Sequence, residues 1–412
     1  MSIAILYERS KTEEMGIKLT AEELGINLVY IPFRKISICL DEGRYSVRSK
    51  GKSYSKVVKD VNVVLNRAQS KNRRLFAAHI LEAFGKYVIN PSCMESLCFS
   101  KLRTLLHFWK ERIKTPRTVY VPCDSHELEM NGNEIHNEED IADLIQQELG
   151  SENIVVKPDA GTHGSKVKLA KKREDLLMFL RETEASIVNP VGILAQELVQ
   201  KWFYDLRVIV AKESEWPPHC YPKALARAGF KDFRTNTYLG NMVFAVNLPP
   251  HIRDTAVKCG ETIGKNREAW VLALDAMIDV GEDKIANDEY VKSELDKLEP
   301  SFNAIKKVKS DRNKKRDFSG WNKRLEDAFQ NYMNQPAYEN VRRIIQESVE
   351  RRKSNALFHE ANSCPEFWEQ TRLVAGINLA IPLLRCAQSV IESDHERSLT
   401  HRASFDSLLF DR

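Results

Sequence analysis

Two apolar, β-type segments of this 412-residue chain carry polar side chains where a buried strand normally has none. Asp275 interrupts the run 271–277, and Glu360 and Asn362 stand two residues apart in 357–365. Alternate side chains of a strand share one face, so Glu360 and Asn362 point the same way, about 7 Å apart. Buried carboxylates need a cation nearby. Two carboxylates and an amide supply only oxygen ligands, which predicts a Mg²⁺ site.

The composition excludes several classes of protein. With 42% hydrophobic residues the chain can fill the cores of two or three domains, which argues against a disordered protein. A net charge of +4 gives no general field for nucleic acid. Eight cysteines without a CxxC pair argue against zinc knuckles and disulfide frameworks. No basic leader or apolar stretch of membrane-spanning length is present, so we expect a cytoplasmic protein without a membrane partner.

A second candidate site is the segment 155–167, where Lys157 ends a β-type run and Gly161 and Gly164 follow in a turn. A lysine charge and flexible backbone N–H groups can cradle phosphate oxygens. The spacing is not that of a Walker A motif. His163 in this turn is interpreted as an exposed turn residue.

Further polar positions follow in two more segments. Glu197 and Leu198 end one strand-like run, and Asp205 and Arg207 share a face of the next. Trp202-Phe203-Tyr204 between them is interpreted as an apolar connector, although it could stack on a base. The loop after it offers a forked arrangement suited to phosphate or carboxylate, with two arginines and an amide, Arg227, Arg234 and Asn236.

The order of these motifs resembles the ATP-grasp superfamily and, within it, the RimK-like carboxylate–amine ligases of the glutamate ligase group. The resemblance covers about residues 1–280 and 355–392. The motifs that carry it are Lys101, Lys157-Pro158 with its glycine turn, Gln196-Glu197, Asp205-x-Arg207, Arg227, Arg234-Thr-Asn236, Asp275 and Glu360-x-Asn362.

The resemblance implies a role for each matched residue. ATP phosphates would contact Lys101, Lys157, Gly161 and Gly164, and Glu197 and Leu198 would form the adenine hinge. The ribose would lie near Asp205, and Arg227 would reach the phosphates or the acyl phosphate. The catalytic group would comprise Arg227, Arg207 and Asn236, with Arg207, Arg234 and Asn236 facing a substrate carboxylate. The metal, Mg²⁺ with Mn²⁺ as the alternative, would be held by Asp275, Glu360 and Asn362.

The resemblance also implies an α/β (α+β) ATP-grasp fold. We expect an N-terminal Rossmann-like pre-ATP-grasp domain at 1–97, a small ATP-grasp lid domain at 98–197, a C-terminal ATP-grasp domain at 198–392 and a tail at 393–412. Two features depart from the family pattern: Lys166 replaces a turn glycine, and a charged, helical insertion at 282–353 separates Asp275 from Glu360. We expect this insertion to form a separate lobe beside the active-site mouth, leaving and re-entering the core at nearby points.

The predicted function is an ATP-dependent ligase that forms an amide through an acyl phosphate. Its partners would be a carboxylate acceptor, either a small molecule or a protein C-terminus or side chain, and an amino acid such as glutamate. A small-molecule kinase and a nucleotide-binding, partner-docking protein with little turnover remain alternatives. The basic segment 306–316 could bind a partner or be a solvated face, and a homo-oligomer stays open. We nominate no nucleophile, and interpret Cys364 as a packing residue.

Overall fold

The computed structural model of the protein describes residues 2–9, 11–122, 138–161, 166–183, 192–213, 216–235, 240–312 and 314–393. Gly164, Asn236, His163 and almost all of the predicted tail therefore lie outside the described residues. The fold is mixed α/β, with three sheets that surround one cavity and a fourth, small one at the periphery. None of the helices in the described ranges is long and apolar enough to cross a membrane.

The first sheet is parallel and has four strands in the order β2-β1-β6-β7. Alternation along its strands separates two apolar faces: Ile3 and Ile5 join the main core, whereas Ala4 and Leu6 pack in a second cluster. Its strands are β1 (Ser2–Tyr7), β2 (Leu28–Pro32), β6 (Val61–Arg67) and β7 (Tyr87–Ile89). The helices here are α1 (Thr12–Glu23), α2 (Ser55–Asp60), α3 (Lys71–Ala83) and α4 (Ser92–Phe99). A small sheet beside them comprises β3 (Ser37–Asp41), β4 (Arg44–Ser49) and β5 (Lys52–Ser53).

The second sheet is antiparallel and has its own core. It contains β8 (Thr118–Val121), β9 (Ile154–Pro158), β10 (Lys168–Ala170) and β11 (Ile193–Glu197), in the order β10-β9-β11-β8, covered by α6 (Glu138–Leu149) and α7 (Arg173–Thr183). Helix α5 (Lys101–Lys110) packs elsewhere, because Phe108 is buried in the main core. This packing favours a lid unit that begins near Thr118, and we propose that boundary in place of residue 98.

The third sheet has six antiparallel strands in the order β15-β14-β12-β16-β17, with β13 paired to β12. Its strands are β12 (Tyr204–Lys212), β13 (His219–Cys220), β14 (Lys223–Ala228), β15 (Met242–Asn247), β16 (Trp270–Ile278) and β17 (Ala356–Asn362). Helix α8 (Pro250–Gly264) lies against Trp270 through Gly260 and Gly264, where an added Cβ would approach the indole ring to 2.5 and 2.3 Å. Helices α12 (Thr371–Ala375) and α13 (380–393) follow β17.

The predicted insertion forms three helices, α9 (Asp288–Lys309), α10 (Phe318–Met333) and α11 (Pro336–Arg351). It leaves and re-enters the sheet at neighbouring points, as predicted, because Ile278 is the cross-strand partner of Ala356. The expectation of a separate lobe is wrong. Trp321, Phe329 and Tyr332 are buried in the same core as the third sheet, and the Tyr332 hydroxyl donates to Val243 O at 3.1 Å. The apolar faces of the three insertion helices are covered by the third sheet and the neighbouring helices.

Candidate functional site

A cavity of about 720 Å³ lies where the three larger sheets meet, a volume in the usual range for small-molecule sites. All the sequence-predicted site residues that the structure describes line it, although they are spread along the chain from Lys101 to Asn362. They are Lys101, Lys157, Gly161, Glu197, Leu198, Asp205, Arg207, Arg227, Arg234, Asp275, Glu360 and Asn362. The structure therefore brings the predicted motifs together in one space.

The proposed metal residues lie on adjacent strands. Asp275 of β16 is the cross-strand partner of Glu360 of β17, and Asn362 follows two residues later on the same face. The Asn362 amide nitrogen is 3.5 Å from Asp275 Oδ2. The register shifts between Asp275 and Ala276, which leaves His359 as the extra residue of a bulge. His359 lines the cavity, and its buried Nε2 has no partner among the described residues.

Two arginines hold the charge of Asp275. Arg207 donates through Nε and Nη2 to the two carboxylate oxygens at 2.9 and 3.0 Å, and Arg227 Nη2 lies 3.4 Å from Oδ1. Burial alone would raise the pKa of Asp275, but the two guanidinium groups outweigh it and hold that pKa far below its usual range. Arg207, which was predicted to face a substrate carboxylate, is thus already engaged with Asp275.

Arg227 is itself fixed by Asp205, which was predicted to lie near a ribose. Arg227 Nε donates to Asp205 Oδ1 at 2.6 Å, and Thr235 donates to the other oxygen. Lys201 Nζ lies 3.8 Å from Asp205. Burial would raise the pKa of Asp205, but Arg227 and Lys201 lower it, so the group stays ionised. In this arrangement Asp205 positions Arg227.

Two buried lysines lie near Glu360 in the same cavity. Asp159, just after β9, accepts from Ser100 Oγ at 2.9 Å and from the Leu102 N–H at 2.7 Å, which attaches the strand end to the start of α5. Lys101 and Lys157 are thereby brought close together. Burial lowers the pKa of Lys101, and burial together with the neighbouring charge of Lys101 lowers that of Lys157 to about 7. Lys101 Nζ donates to Asp159 O at 3.2 Å, whereas Lys157 has no hydrogen bond or ion pair from its side chain to the described residues, so a bound anion would stabilise both ammonium groups.

The backbone N–H groups of both predicted hinge residues, Glu197 and Leu198, are already bonded within the protein. The Leu198 N–H donates to Asn153 O at 3.2 Å, and the Glu197 carboxylate accepts from the Arg117 N–H at 2.8 Å. Val199 also lines the cavity. Its N–H makes no hydrogen bond within the described part of the chain. We therefore propose Val199 as the backbone donor of the hinge.

The structure also locates other residues that the sequence analysis singled out. Lys166 has a φ of +60°, a left-handed conformation that glycine adopts without strain, at the position where the family pattern has a glycine. Phe203 and Tyr204 are buried, as expected for a connector. Burial raises the pKa of the Cys364 thiol, although Arg67 and Arg74 oppose the effect, so Cys364 is not a thiolate. Arg234 lies beside Asp232, with which it makes two bonds of 2.8 Å from its guanidinium.

Sequence reasoning missed the wall that the first sheet contributes. Glu13, Glu14, Arg67 and Lys71 line the cavity, and Lys71 Nζ lies 3.8 Å from Glu360. These residues follow the carboxyl ends of the neighbouring parallel strands β1 and β6, where open α/β sheets bind ligands. That rule is a signal that could have found them.

The expected ATP-grasp site would hold a divalent metal ion. No three His, Cys, Asp or Glu side chains group as a metal site anywhere in the described ranges. Asp275, Glu360 and Asn362 nevertheless present oxygen atoms side by side on one cavity wall. Such a set fits an ion that completes its shell with water and ligand phosphates, which is how Mg²⁺ usually binds.

Comparison with known proteins gives consistent results. Residues 127–286 match the family model described as the RimK-like ATP-grasp domain. The chain is 28% identical over 221 residues to the α-aminoadipate–LysW ligase LysX of Sulfolobus acidocaldarius. The matched residues cover 53% of this chain and 71% of that protein. It is 24% identical over 289 residues to LysX of Sulfurisphaera tokodaii, covering 70% and 89%.

A more distant relative and a solved structure extend the comparison. The ribosomal protein bS6–L-glutamate ligase of Salmonella newport is 28% identical over 188 residues, which cover 44% of this chain and 54% of that protein. The structure of the D-alanine–D-alanine ligase from Coxiella burnetii aligns with a TM-score of 0.52 at 10% identity, covering 98% of this chain and 99% of that one. The structural likeness establishes the fold.

Proposed function

We propose that this chain, which belongs to the RimK-like ATP-grasp family, is an ATP-dependent ligase that activates a carboxylate and joins it to an amine. The family implies ATP with a divalent metal ion, and we propose Mg²⁺ because the available donors are oxygen atoms. The observation that supports this best is that one cavity brings buried Lys101 and Lys157 together with Asp275, Glu360 and Asn362.

The chemistry explains why cationic side chains and metal-binding oxygen atoms are needed in the same cavity. A free carboxylate resists attack by an amine, because its charge repels the nucleophile and oxide is a poor leaving group. ATP supplies a phosphoryl group that converts the carboxylate into an acyl phosphate, and a divalent ion shares the phosphate charge. Positioning and charge neutralisation dominate phosphoryl transfer. A covalent nucleophile on the protein is therefore not required.

The residues of this chain divide that work. Lys101 and Lys157 would contact phosphate oxygens, and Arg227, held by Asp205, would neutralise charge on the transferred group. Asp275 and Glu360 would hold the metal with Asn362. Backbone groups at Glu197 and Val199 would bind the base. Each role follows from a side chain or backbone atom that faces the shared cavity.

The relatives suggest the substrate class. By their names, one similar protein joins L-glutamate to ribosomal protein bS6, and others are α-aminoadipate–LysW ligases. We propose that this chain joins an amino acid such as glutamate to a carboxylate acceptor, either a small molecule or a protein. A small-molecule kinase would use the same phosphate-binding lysines, Lys101 and Lys157, but would not need an amine.

Mass spectrometry of reaction products tests the proposal. The full chain is incubated with MgATP, a panel of carboxylates, and L-glutamate or another amino acid. The expected product has the summed mass of acid and amine less one water, and ADP release requires both. Release with a carboxylate alone, with a stable phosphorylated product, would favour a kinase. No turnover with any pair would contradict the ligase proposal.

A further inference from the structure

Strand β17, which carries Glu360 and Asn362, lies at the edge of the third sheet, with β16 on one side and no strand on the other among the described residues. Asn362 is also the last residue of β17. The end of an edge strand lacks the hydrogen bonds that hold a central strand on both sides. The ligands of a metal ion must nevertheless be held in a fixed geometry. Groups outside the sheet are therefore needed to fix the backbone beside Asn362.

A buried carboxylate from the helices beside the first sheet provides one such group. Glu95 of α4 accepts through Oε2 from Ser363 Oγ at 2.7 Å and from Arg74 Nε at 2.8 Å. Arg74 Nη2 also donates to Ser363 Oγ at 3.4 Å. All three side chains are buried, so water does not compete for these charge-assisted bonds. Glu95 and Arg74 thus hold the hydroxyl of Ser363, the residue that directly follows Asn362.

Asn90, just after β7, holds the same residue through its backbone. Its Nδ2 donates to Ser363 O at 2.8 Å and to Val271 O at 2.7 Å, while its Oδ1 accepts from the Val271 N–H at 3.0 Å. Val271 belongs to β16, and the Asn90 side chain is buried. Asn90 therefore joins the residue after β17 to the neighbouring strand, where the sheet itself makes no such bond.

Helix α3 presents two cations to β17. Lys71 and Arg74 are three positions apart and so share one face of the helix. Lys71 Nζ lies 3.8 Å from Glu360, and Arg74 contacts Ser363 as described above. Arg74 is itself held firmly, because its Nη1 donates to Ala68 O at 3.0 Å and its carbonyl oxygen accepts from Asn66 Nδ2 at 2.8 Å. The support behind β17 is thus attached to the end of β6.

We propose that Glu95, Arg74 and Asn90 are positioning residues for the metal site, which act through Ser363 to hold the Asn362 side chain in place for the ion. This inference rests on the proposed function and assigns residues that the site described above does not include. A purely structural role for these bonds would change only the stability of the fold. A positioning role also changes how nucleotide binding depends on the metal.

Calorimetry on the full chain separates these two roles. A non-hydrolysable ATP analogue is titrated into each protein in EDTA and at a series of Mg²⁺ concentrations, and a thermal melt records its stability. Ser363→Ala removes the hydroxyl that binds Glu95. Ser348→Ala is the matched control, because Ser348 is also buried and its Oγ accepts from the Tyr204 hydroxyl at 2.9 Å, but it does not line the cavity. Glu95→Gln, which keeps the shape and removes the charge, is a second variant.

Ser363→Ala should need about tenfold more Mg²⁺, or above, to reach half of the effect on analogue affinity, the usual cost of losing a group that orients a metal ligand. Its analogue affinity in EDTA should equal that of the wild type. Glu95→Gln should shift the Mg²⁺ dependence in the same direction. Ser348→Ala should lower the melting temperature but keep the Mg²⁺ dependence of the wild type.

Three results would overturn the inference: a wild-type Mg²⁺ dependence in Ser363→Ala, an equal shift in Ser348→Ala, or analogue binding by the wild type that does not respond to Mg²⁺. Failure of the ligase function gives a different result. The Mg²⁺ dependence would still shift in Ser363→Ala, but no pair of substrates would give an amide with the wild type.

Discussion

Asp275 and Glu360 lie directly opposite each other on neighbouring strands, but different cations neutralise them. Asp275 is bonded by Arg207 and Arg227, whereas Glu360 lies 3.8 Å from Lys71. The charge of Lys101 also lowers the pKa of Glu360, against the effect of burial. The two carboxylates can therefore remain ionised side by side, which a divalent metal site requires.

Glu360→Gln should abolish turnover while the protein stays folded. The substitution keeps the shape but removes a charge next to three lysines and an oxygen ligand of the proposed metal. Steady-state ADP release and a thermal melt measure the two effects. Glu350→Gln, at an exposed position, is the control. Turnover close to that of the wild type at saturating Mg²⁺ would remove Glu360 from the site.

Lys157→Met should weaken ATP binding by about ten- to a hundredfold, the range expected for a charge-assisted contact of roughly 1.5–3 kcal/mol. Binding should also take up protons at pH 8, because Lys157 has a pKa near 7 in the free protein and phosphate favours its charged form. Calorimetry in buffers of different ionisation enthalpy measures this uptake. The uptake should be smaller in Lys157→Met and unchanged in exposed Lys172→Met. Equal ATP affinity and equal proton uptake in all three proteins would exclude Lys157 from the ATP site.

Glu13→Gln should raise the melting temperature at pH 8 but not at pH 4. The folded state raises the pKa of Glu13 from 4.5 to about 7, so folding favours the neutral acid. That contribution is present below the unfolded pKa and is lost as pH rises through 7. Gln stays neutral throughout. The charges facing Glu13 remain in both proteins and include Lys11, Glu14, Arg67, Glu366 and Glu369.

Thermal melts of wild type, Glu13→Gln and Glu23→Gln at both pH values provide the measurement. Glu23→Gln, at an exposed position of α1, is the control and should follow the wild type. A Glu13→Gln protein that is less stable than the wild type at pH 8 would contradict the raised pKa of the buried Glu13 carboxyl group.

Replacing 282–353 by a short turn should abolish cooperative unfolding. The deletion would expose the sheet residues that the three helices cover and remove the bonds from Tyr204 and Tyr332 that cross the boundary. Circular dichroism during heating is the measurement. A shortened protein that unfolds in a sharp transition and still binds ATP would instead show that the insertion is a separate lobe.

Much of this architecture can be predicted from local patterns in the sequence. The strands around Asp275 and Glu360 follow from alternating apolar residues, and the lysine at the end of β9 follows from its turn. The insertion was misjudged because its helices have charged outer faces, and their apolar stripes do not say which surface they cover.

The pairings inside the site depend on tertiary contacts. No sequence pattern shows that Arg207 bonds Asp275 or that Asp159 joins Lys157 to Lys101, since the partners meet only when separate elements pack. The same holds for His359, whose direction is set by a one-residue bulge. The contribution of the first sheet could have been predicted, because its strand order places Glu13 and Arg67 at a switch point.

The central claim is that a carboxylate is activated by phosphorylation and then passed to an amine. The most direct measurement uses an ¹⁸O-labelled panel of carboxylates with MgATP and an amino acid, and analyses the inorganic phosphate by mass spectrometry. An acyl phosphate predicts one ¹⁸O atom transferred from the carboxylate to each phosphate released, together with an equal amount of amide. Unlabelled phosphate throughout, or ADP formed without amide, would contradict the account.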